Sequence, residues 1–290
     1  MRYPYRNTMT RALAIPGLLL LILAACKKDG SIPSYLEVDA PVVSGSNGQV
    51  ISSKITDLWV YVNDQPAGVW EPGKQVPLIA DGPTSVKLIA GVRKNGIADD
   101  RIQYPFYETW QQQLNLVPEQ TRVVQPQFHY YNNLIYWLAD FDTGLRFDTV
   151  DCTATMTIVP SDSTLVGQGS GSGRIFLDAS HPMYRGLSSG DPFTSIGGTA
   201  FLEMDYRCDA PFQVGVRVTV QGTPSWATVV FLKATKLPDG SMPWNKVYID
   251  LATPWNVAGA MDKRFFIQAS LPDGTATATV DLDNVKLVQP

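Results

Sequence analysis

Strict alternation of apolar and polar positions is the clearest pattern in the chain, and it is strongest in the second half. Valines recur at every second position of residues 212–220, and residues 245–251 and 276–282 repeat the same period of two. Because successive side chains of a strand point to opposite faces of a sheet, this period predicts β-strands with one face against a core. About eight such strands, without an amphipathic helix, predict an antiparallel jelly-roll β-sandwich over residues 132–290.

A second group of short strands precedes this region, from residue 51 to residue 131. Residues 58–62 are β-branched and aromatic, and residues 86–92 alternate between apolar and polar positions. Asn95 and Gly96 form a dipeptide typical of tight hairpin turns. With a last strand expected over residues 121–128, the spacing predicts a small immunoglobulin-like β-sandwich of about 80 residues.

The N-terminus follows a different pattern. Three arginines precede a short apolar run at residues 18–23, which ends in two alanines and Cys26. This order is typical of a secretory signal, and the run is shorter than the roughly 20 residues of a membrane-spanning helix. We therefore predict a signal peptide over residues 1–25. Residues 26–50, which are rich in serine, proline and glycine, are predicted to be a lipidated, flexible tether.

The small residues directly before Cys26 resemble the signal of bacterial lipoproteins. That resemblance implies cleavage before Cys26 and lipid chains on its thiol and amine, so that the membrane is a partner through the anchor. The whole chain also resembles two-domain lipoproteins of Bacteroidota, which share a strand like that at residues 56–62. It implies an outer-membrane protein that faces either the periplasm or the cell surface.

Motifs at both ends of the second region resemble jelly-roll carbohydrate-binding modules. Residues 137–144 match the opening of such modules and residues 280–287 match their close, while residues 201–206 and 244–251 fit the inner strands. The first region resembles immunoglobulin-like or PEGA-like modules of surface lipoproteins, on residues 60–68 and 81–86. The resemblance to carbohydrate-binding modules implies a glycan partner.

The same resemblance implies a structural calcium ion shared by Asp142, near the first strand, and Asp283, on the last strand. Calcium prefers several hard oxygen ligands, which clustered carboxylates supply. The alternative is that both are ordinary solvated acids at strand ends.

Aromatic side chains in or beside predicted loops are candidates to stack on sugar rings, because an amphipathic ring suits a half-wet contact. The candidates of the second region are Trp226, Trp244, Trp255 and Tyr184. The alternative is that these rings fill the core, as expected for Trp59 and Trp137.

Composition narrows the class of protein. The net charge of −4, without a basic block, argues against a nucleic-acid partner. Once Cys26 carries lipid, Cys152 and Cys208 remain. Export would allow a disulfide between them, and the alternative is two free buried thiols. The chain has no Cys-x-x-Cys motif and two histidines, which argues against a zinc site.

No catalytic arrangement is evident in the sequence. Glu203 lies on a predicted strand and is interpreted as a solvated acid. The glycine-rich residues 167–173 fit no nucleophile or phosphate motif and are interpreted as a flexible loop. We therefore expect a non-catalytic protein that presents its jelly roll to a glycan. An accessory subunit of an outer-membrane assembly is the alternative, and a glycan hydrolase is the least favoured.

Overall fold

The computed structural model describes residues 31–45, 48–161, 169–194 and 197–290. Within these ranges the chain is all-β, with 22 strands and one helical turn, which confirms the predicted fold class. A search of the same residues finds no helix with the length and apolar character needed to cross a membrane. The predicted signal peptide and Cys26 lie outside the described residues.

The first eleven strands pair only among themselves, and we call them the N-terminal sheets. One sheet has the order β10-β1-β6, a second has β11-β2-β3, and the largest has β5-β4-β7-β8 with β9 also beside β7. The strands are β1 (Ser34–Val38), β2 (Val42–Ser44), β3 (Val50–Ile51), β4 (Asp57–Val62), β5 (Gln65–Trp70), β6 (Gln75–Leu78), β7 (Gly82–Arg93), β8 (Arg101–Gln103), β9 (Trp110–Leu116), β10 (Thr121–Val124) and β11 (Gln127–His129).

The structure corrects the tether prediction. Strand β1 lies in the middle of its sheet, antiparallel to β6 and parallel to β10, and Leu36 and Val38 are buried in the core. Strand β1 alternates between buried and half-buried positions over only five residues, which is too short a pattern to stand out among the flanking serines and prolines. Part of the segment predicted to be a flexible leash is therefore folded with the N-terminal sheets.

The remaining strands form a two-sheet sandwich, which we call the C-terminal sandwich. One sheet has the order β14-β15-β22-β17-β20 with β12 beside β22, and the other has β13-β16-β21-β18-β19. The elements are β12 (Ile135–Ala139), β13 (Phe147–Thr149), β14 (Met156–Pro160), β15 (Gly171–Asp178), β16 (Met183–Ser188), β17 (Phe201–Cys208), β18 (Phe212–Val220), β19 (Thr223–Leu232), β20 (Asn245–Asp250), α1 (Ala252–Trp255), β21 (Ala260–Ser270) and β22 (Thr277–Gln289).

The core of the C-terminal sandwich lies between the two sheets, and the inward positions are those that the alternation predicts. Val214 and Val216 of β18, for example, are buried in this core. Gly171 and Gly173, which were interpreted as part of a flexible loop, belong to β15 instead. A Cβ on Gly173 would lie 2.4 Å from the Phe141 ring, so glycine allows that ring to pack against the strand.

The two sets of sheets meet through a shared apolar contact. Phe201, Tyr248 and Val288 belong to strands of the C-terminal sandwich but pack in the core of the N-terminal sheets. The Tyr104 ring centroid is 5.4 Å from that of Phe201 and 4.9 Å from that of Tyr248. The division into domains at residue 131 stays a prediction, since apolar packing continues across it.

Glu203 lies at this junction, and the structure corrects its interpretation as a solvated acid. Its side chain is fully buried because the N-terminal sheets cover the outer face of β17. The Tyr104 hydroxyl donates to Glu203 Oε1 at 2.5 Å, and the Tyr130 hydroxyl lies 2.8 and 2.7 Å from the two carboxylate oxygens. Lys246 Nζ is 3.9 Å from Oε2. We call these four residues the junction cluster.

The charge and burial of the junction cluster act on its tyrosines. Desolvation, followed by the negative charge of Glu203, raises the pKa of Tyr104 well above its usual value, and desolvation is also the largest cause of the raised pKa of Tyr130. Both hydroxyls therefore stay protonated and can donate to the carboxylate. A buried charge held by donors on both sides contributes to a single arrangement of the two sets of sheets.

Of the two alternatives for the cysteines, the structure has the free thiols, at Cys152 and Cys208. The Cys152 thiol contacts the carbonyl oxygens of Ala154 and Arg185, whereas the Cys208 thiol contacts that of Lys233. Burial raises the pKa of Cys208 to about 11. Both thiols behave as small core side chains, the alternative that the sequence left open.

Candidate functional site

The outer face of the sheet β13-β16-β21-β18-β19 carries an open group of aromatic and polar side chains. Phe265, Ile267 and Ala269 of β21 point into the core, so Phe266 and Gln268, which alternate with them, point outward. The strand register places Gln268 beside Arg185 of β16 on one side and beside Gln213 of β18 on the other. We call this surface the outer aromatic face.

Three aromatic rings shape the outer aromatic face. Phe231 and Trp226, both on β19, are 71% and 39% exposed, whereas Phe266 is buried beneath its neighbours. The Trp226 ring meets the Phe266 ring edge to face, with 5.2 Å between centroids. At about 3.3 Å per strand residue, and with one bulged residue between them, Trp226 and Phe231 lie about 13 Å apart along β19. Several linked sugar rings would cover that distance.

Gly215 of β18 makes room for this arrangement. A Cβ at this position would lie 2.3 Å from the Ala227 carbonyl oxygen and 2.4 Å from Cζ of Phe266. Without a side chain at position 215, the Phe266 ring can lie against the sheet and support Trp226 from below. Glycine is required here by close approach and not by an unusual backbone angle.

Planar hydrogen-bonding groups lie beside the rings. Arg185 Nε donates to Gln268 Oε1 at 2.7 Å, and the guanidinium carbon of Arg185 is 4.9 Å from the Trp226 ring centroid. The Thr228 hydroxyl donates to Gln213 Oε1 at 2.7 Å. The amide nitrogens of both glutamines are donors that can serve a sugar hydroxyl. Stacking rings beside fixed polar groups are suited to hold a polyhydroxylated ligand.

Two further arginines lie on the same face and share one acid. Arg217 and Arg264 are directly opposite each other on β18 and β21, a position in which like charges repel. The Asp262 carboxylate accepts hydrogen bonds from both of them, with 3.3 Å to Nε of Arg264. Asp262 can reach both because it lies at a register shift of β21 with a positive φ of 49°.

The four aromatic candidates from the sequence are placed in three different environments. Trp226 lies on the outer aromatic face. Trp244 directly precedes β20 of the other sheet, where Arg207 stacks on it with 4.8 Å between the guanidinium carbon and the ring centroid. Trp255 and Tyr184 are fully buried in the core. This corrects their assignment, because a ring without exposed surface offers no face to a sugar.

The carboxylates proposed for calcium are used by protein hydrogen bonds. Asp142 accepts hydrogen bonds from the backbone amide and hydroxyl of Ser170 and from the backbone amide of Gly171. The hydrogen bond from the Ser170 amide is the largest cause of the lowered pKa of Asp142. Asp283 accepts from the Asn284 amide at 2.7 Å and lies 3.5 Å from the Ser172 hydroxyl. In the described residues no group of three or more His, Cys, Asp or Glu side chains could hold a metal.

Calcium binding by Asp142 and Asp283 stays a prediction. The N–H groups around Asp142 turn their positive ends toward the carboxylate, which is the environment of an anion already satisfied by the protein. Calcium takes six to eight oxygen ligands, whereas the contacts described for Asp142 and Asp283 are with N–H and O–H donors of the protein.

A cavity of about 550 Å³ lies elsewhere, between Ile135, Asp191, Phe193 and the last residues Gln289 and Pro290. The Phe193 ring packs against those of Trp255 and Phe265, so it serves the core. Phe193 is the one aromatic side chain among the described residues that line this cavity.

Sequence analysis missed most of the outer aromatic face. Phe231, Arg185 and Gln268 lie on strands, whereas the search for sugar-binding rings considered loops. The outward positions of β21 could have been found from the alternation in residues 264–268, where two inward apolar residues separate arginine, phenylalanine and glutamine.

No protein-family model matches the chain, and no curated protein is similar to it in sequence. Among solved structures, carbohydrate-binding modules from the β-sandwich superfamily align at 14% identity with a TM-score of 0.41, over 88% of this chain and 95% of that chain. A family 29 carbohydrate-binding module aligns at 13% identity with a TM-score of 0.34, over 54% of this chain and 89% of that chain. A variant of such a module complexed with mannohexaose gives 13% and 0.34, over 54% and 92%. The likeness is distant and concerns the β-sandwich architecture alone.

Proposed function

We propose that this chain is a non-catalytic glycan-binding protein that uses the outer aromatic face. The observation that carries the proposal is the exposure of Trp226 and Phe231 on one strand, beside Gln268, Gln213 and Arg185. Exposed rings stack on the apolar faces of sugars, and adjacent side-chain amides exchange hydrogen bonds with hydroxyls. A ligand that covers the exposed Phe231 ring would remove apolar surface from water, which favours binding.

The proposal extends to the cellular location, for which the support is the sequence alone. The residues around Cys26 resemble a lipoprotein signal, so we propose a lipid anchor in the outer membrane. We propose a binding protein without catalysis because the buried acid Glu203 is covered by the N-terminal sheets and the exposed face pairs its acid Asp262 with arginines.

The test is titration of the detergent-solubilised full chain with a panel of oligosaccharides and polysaccharides. Trp226→Ala should weaken binding by about tenfold or more, because it removes a stacking ring. Trp244→Ala is the matched control, since that ring lies beside the other sheet, and it should leave the affinity unchanged. Equal losses for the two variants, or no binding to any glycan, would refute the proposal. A stoichiometric membrane-barrel partner in the same preparation would favour the accessory-subunit alternative.

A further inference from the structure

The charge on the outer aromatic face differs in sign from that of the whole chain. The face holds three arginines and two aspartates, whereas the protein has a net charge of −4. Arg217 and Arg264 share Asp262, and Asp148 lies at the β13 edge of the sheet beside Leu187. The outer aromatic face therefore carries one more positive than negative charge, although the whole chain is negative.

Arg185 is held in place without a carboxylate partner. Gln268 accepts its Nε–H at 2.7 Å, and the Trp226 ring lies 4.9 Å from its guanidinium carbon. Among the described residues, no Asp or Glu oxygen lies within 4.0 Å of its side-chain nitrogens, and its two terminal nitrogens donate no hydrogen bond to the protein. The neutral amide and the ring fix the plane of the guanidinium while its terminal N–H groups stay available.

We infer that the outer aromatic face selects an anionic glycan, whose carboxylate or sulfate group pairs with the terminal nitrogens of Arg185 while its sugar rings lie on Trp226 and Phe231. The inference rests on the proposed function and names its ligand class. A planar guanidinium matches two oxygens of a carboxylate or sulfate at once, and such charge-assisted pairs are about twice as strong as neutral hydrogen bonds.

The decisive ligand pair is polygalacturonate and the same polymer after chemical reduction of its carboxyl groups. The full chain should bind the acidic polymer about 10- to 100-fold more tightly than the reduced one, the range expected for a hydrogen bond to a charged group. Chondroitin sulfate and its desulfated form give the corresponding test for sulfate. The anion that is preferred distinguishes the two sources of negative charge.

Arg185→Gln should remove the preference for the acidic polymer, so that the acidic and the reduced polymer bind this variant with affinities within about twofold of each other. The matched control is Arg122→Gln, because Arg122 is an exposed arginine on β10, in the N-terminal sheets. Raising the salt concentration should weaken the affinity of the wild-type chain for the acidic polymer, and it should have less effect on the affinity of Arg185→Gln. Arg185→Lys, which keeps the charge but cannot form the planar pair, should retain salt dependence with reduced affinity and serves if the glutamine variant does not fold.

The outcomes separate the inference from the proposed function. Equal affinity for the charged and the neutral form in both ligand pairs, or an unchanged preference in Arg185→Gln, would overturn the inference while glycan binding stands. Failure of every glycan, acidic or neutral, would overturn the proposed function itself.

Discussion

Replacing Glu203 by alanine would remove the only carboxylate that Tyr104 and Tyr130 share at the junction of the two sets of sheets in the described structure. The substitution deletes the acceptor of hydrogen bonds from both hydroxyls and leaves Tyr104 without its partner in a fully buried place. Tyr130 keeps a contact of 3.2 Å from Lys286 Nζ, and Lys246 keeps Asp205 at 3.6 Å. Because Lys286 donates to Tyr130, that contact does not replace the lost acceptor, and the loss falls on both tyrosine hydroxyls and on the space that the carboxylate filled.

The expected magnitude follows from these contacts. Removing one partner of a buried, hydrogen-bonded ion pair costs about 3–5 kcal/mol of unfolding free energy. Glu203→Gln keeps the shape and one acceptor oxygen, so we expect a smaller loss of about 1–3 kcal/mol. Glu71, a half-exposed acid 3.6 Å from Arg101, is the matched control, and Glu71→Ala should cost less than about 1 kcal/mol.

Urea denaturation followed by tryptophan fluorescence would measure these differences. With an unfolding slope of about 1–3 kcal/mol per molar urea, the Glu203→Ala midpoint should fall by at least about 1 M. A double-mutant cycle of Glu203→Gln with Tyr104→Phe should give a coupling energy above about 1 kcal/mol. A loss in Glu203→Ala as small as in the Glu71 control would refute the argument that the junction cluster joins the two sets of sheets.

Two further predictions concern alkaline stability and the outer aromatic face. Burial raises the pKa of four tyrosines at the junction above the ordinary 10.0, so their contribution to the free energy of unfolding should be complete below pH 10. Above pH 10 the free energy of unfolding should fall by about 1.4 kcal/mol per pH unit for each tyrosine. Urea denaturation at rising pH measures this fall, and a flat profile would contradict it. These tyrosines are Tyr104, Tyr107, Tyr130 and Tyr248. Gly215→Ala should cost about 1–3 kcal/mol and weaken glycan binding, because its Cβ displaces Phe266. Thr228→Ala, opposite on β19, should stay within about 0.5 kcal/mol, and equal unfolding midpoints for the two variants would argue against the close approach.

Local patterns were sufficient for many strands. The alternation in residues 212–220 predicted β18 with its inward valines, and residues 86–92 predicted the buried face of β7. Asn95 and Gly96 predicted a turn, and both adopt positive φ angles there, of 56° and 71°. These predictions succeed because the period of two and the backbone preferences of asparagine and glycine are properties of short segments.

The same alternation failed where both faces of a strand are covered. Leu202 and Met204 of β17 fill the sandwich core as predicted, but Phe201, Glu203 and Asp205 on the opposite face are buried as well. A period of two separates the two faces of a strand and carries no information on what covers the second one. The tyrosine-rich segments that cover Glu203, at residues 104–107 and 130–131, were the signal in the sequence that a buried acid could have donors.

The sequence by itself determined the all-β class and the positions of many strands, since both depend on local order and composition, and it alone supports the proposed lipid anchor. Only the tertiary structure decided that Glu203 is the centre of a buried junction, that Tyr184 and Trp255 belong to the core, and that Trp226 shares a face with Phe231 and Arg185. The physical reason is that strand pairing joins residues distant in the chain: β16 ends at Ser188 but pairs with β21, which begins at Ala260, and β18 and β19 complete the same sheet. A site made from four strands therefore exists only after the sheet has formed.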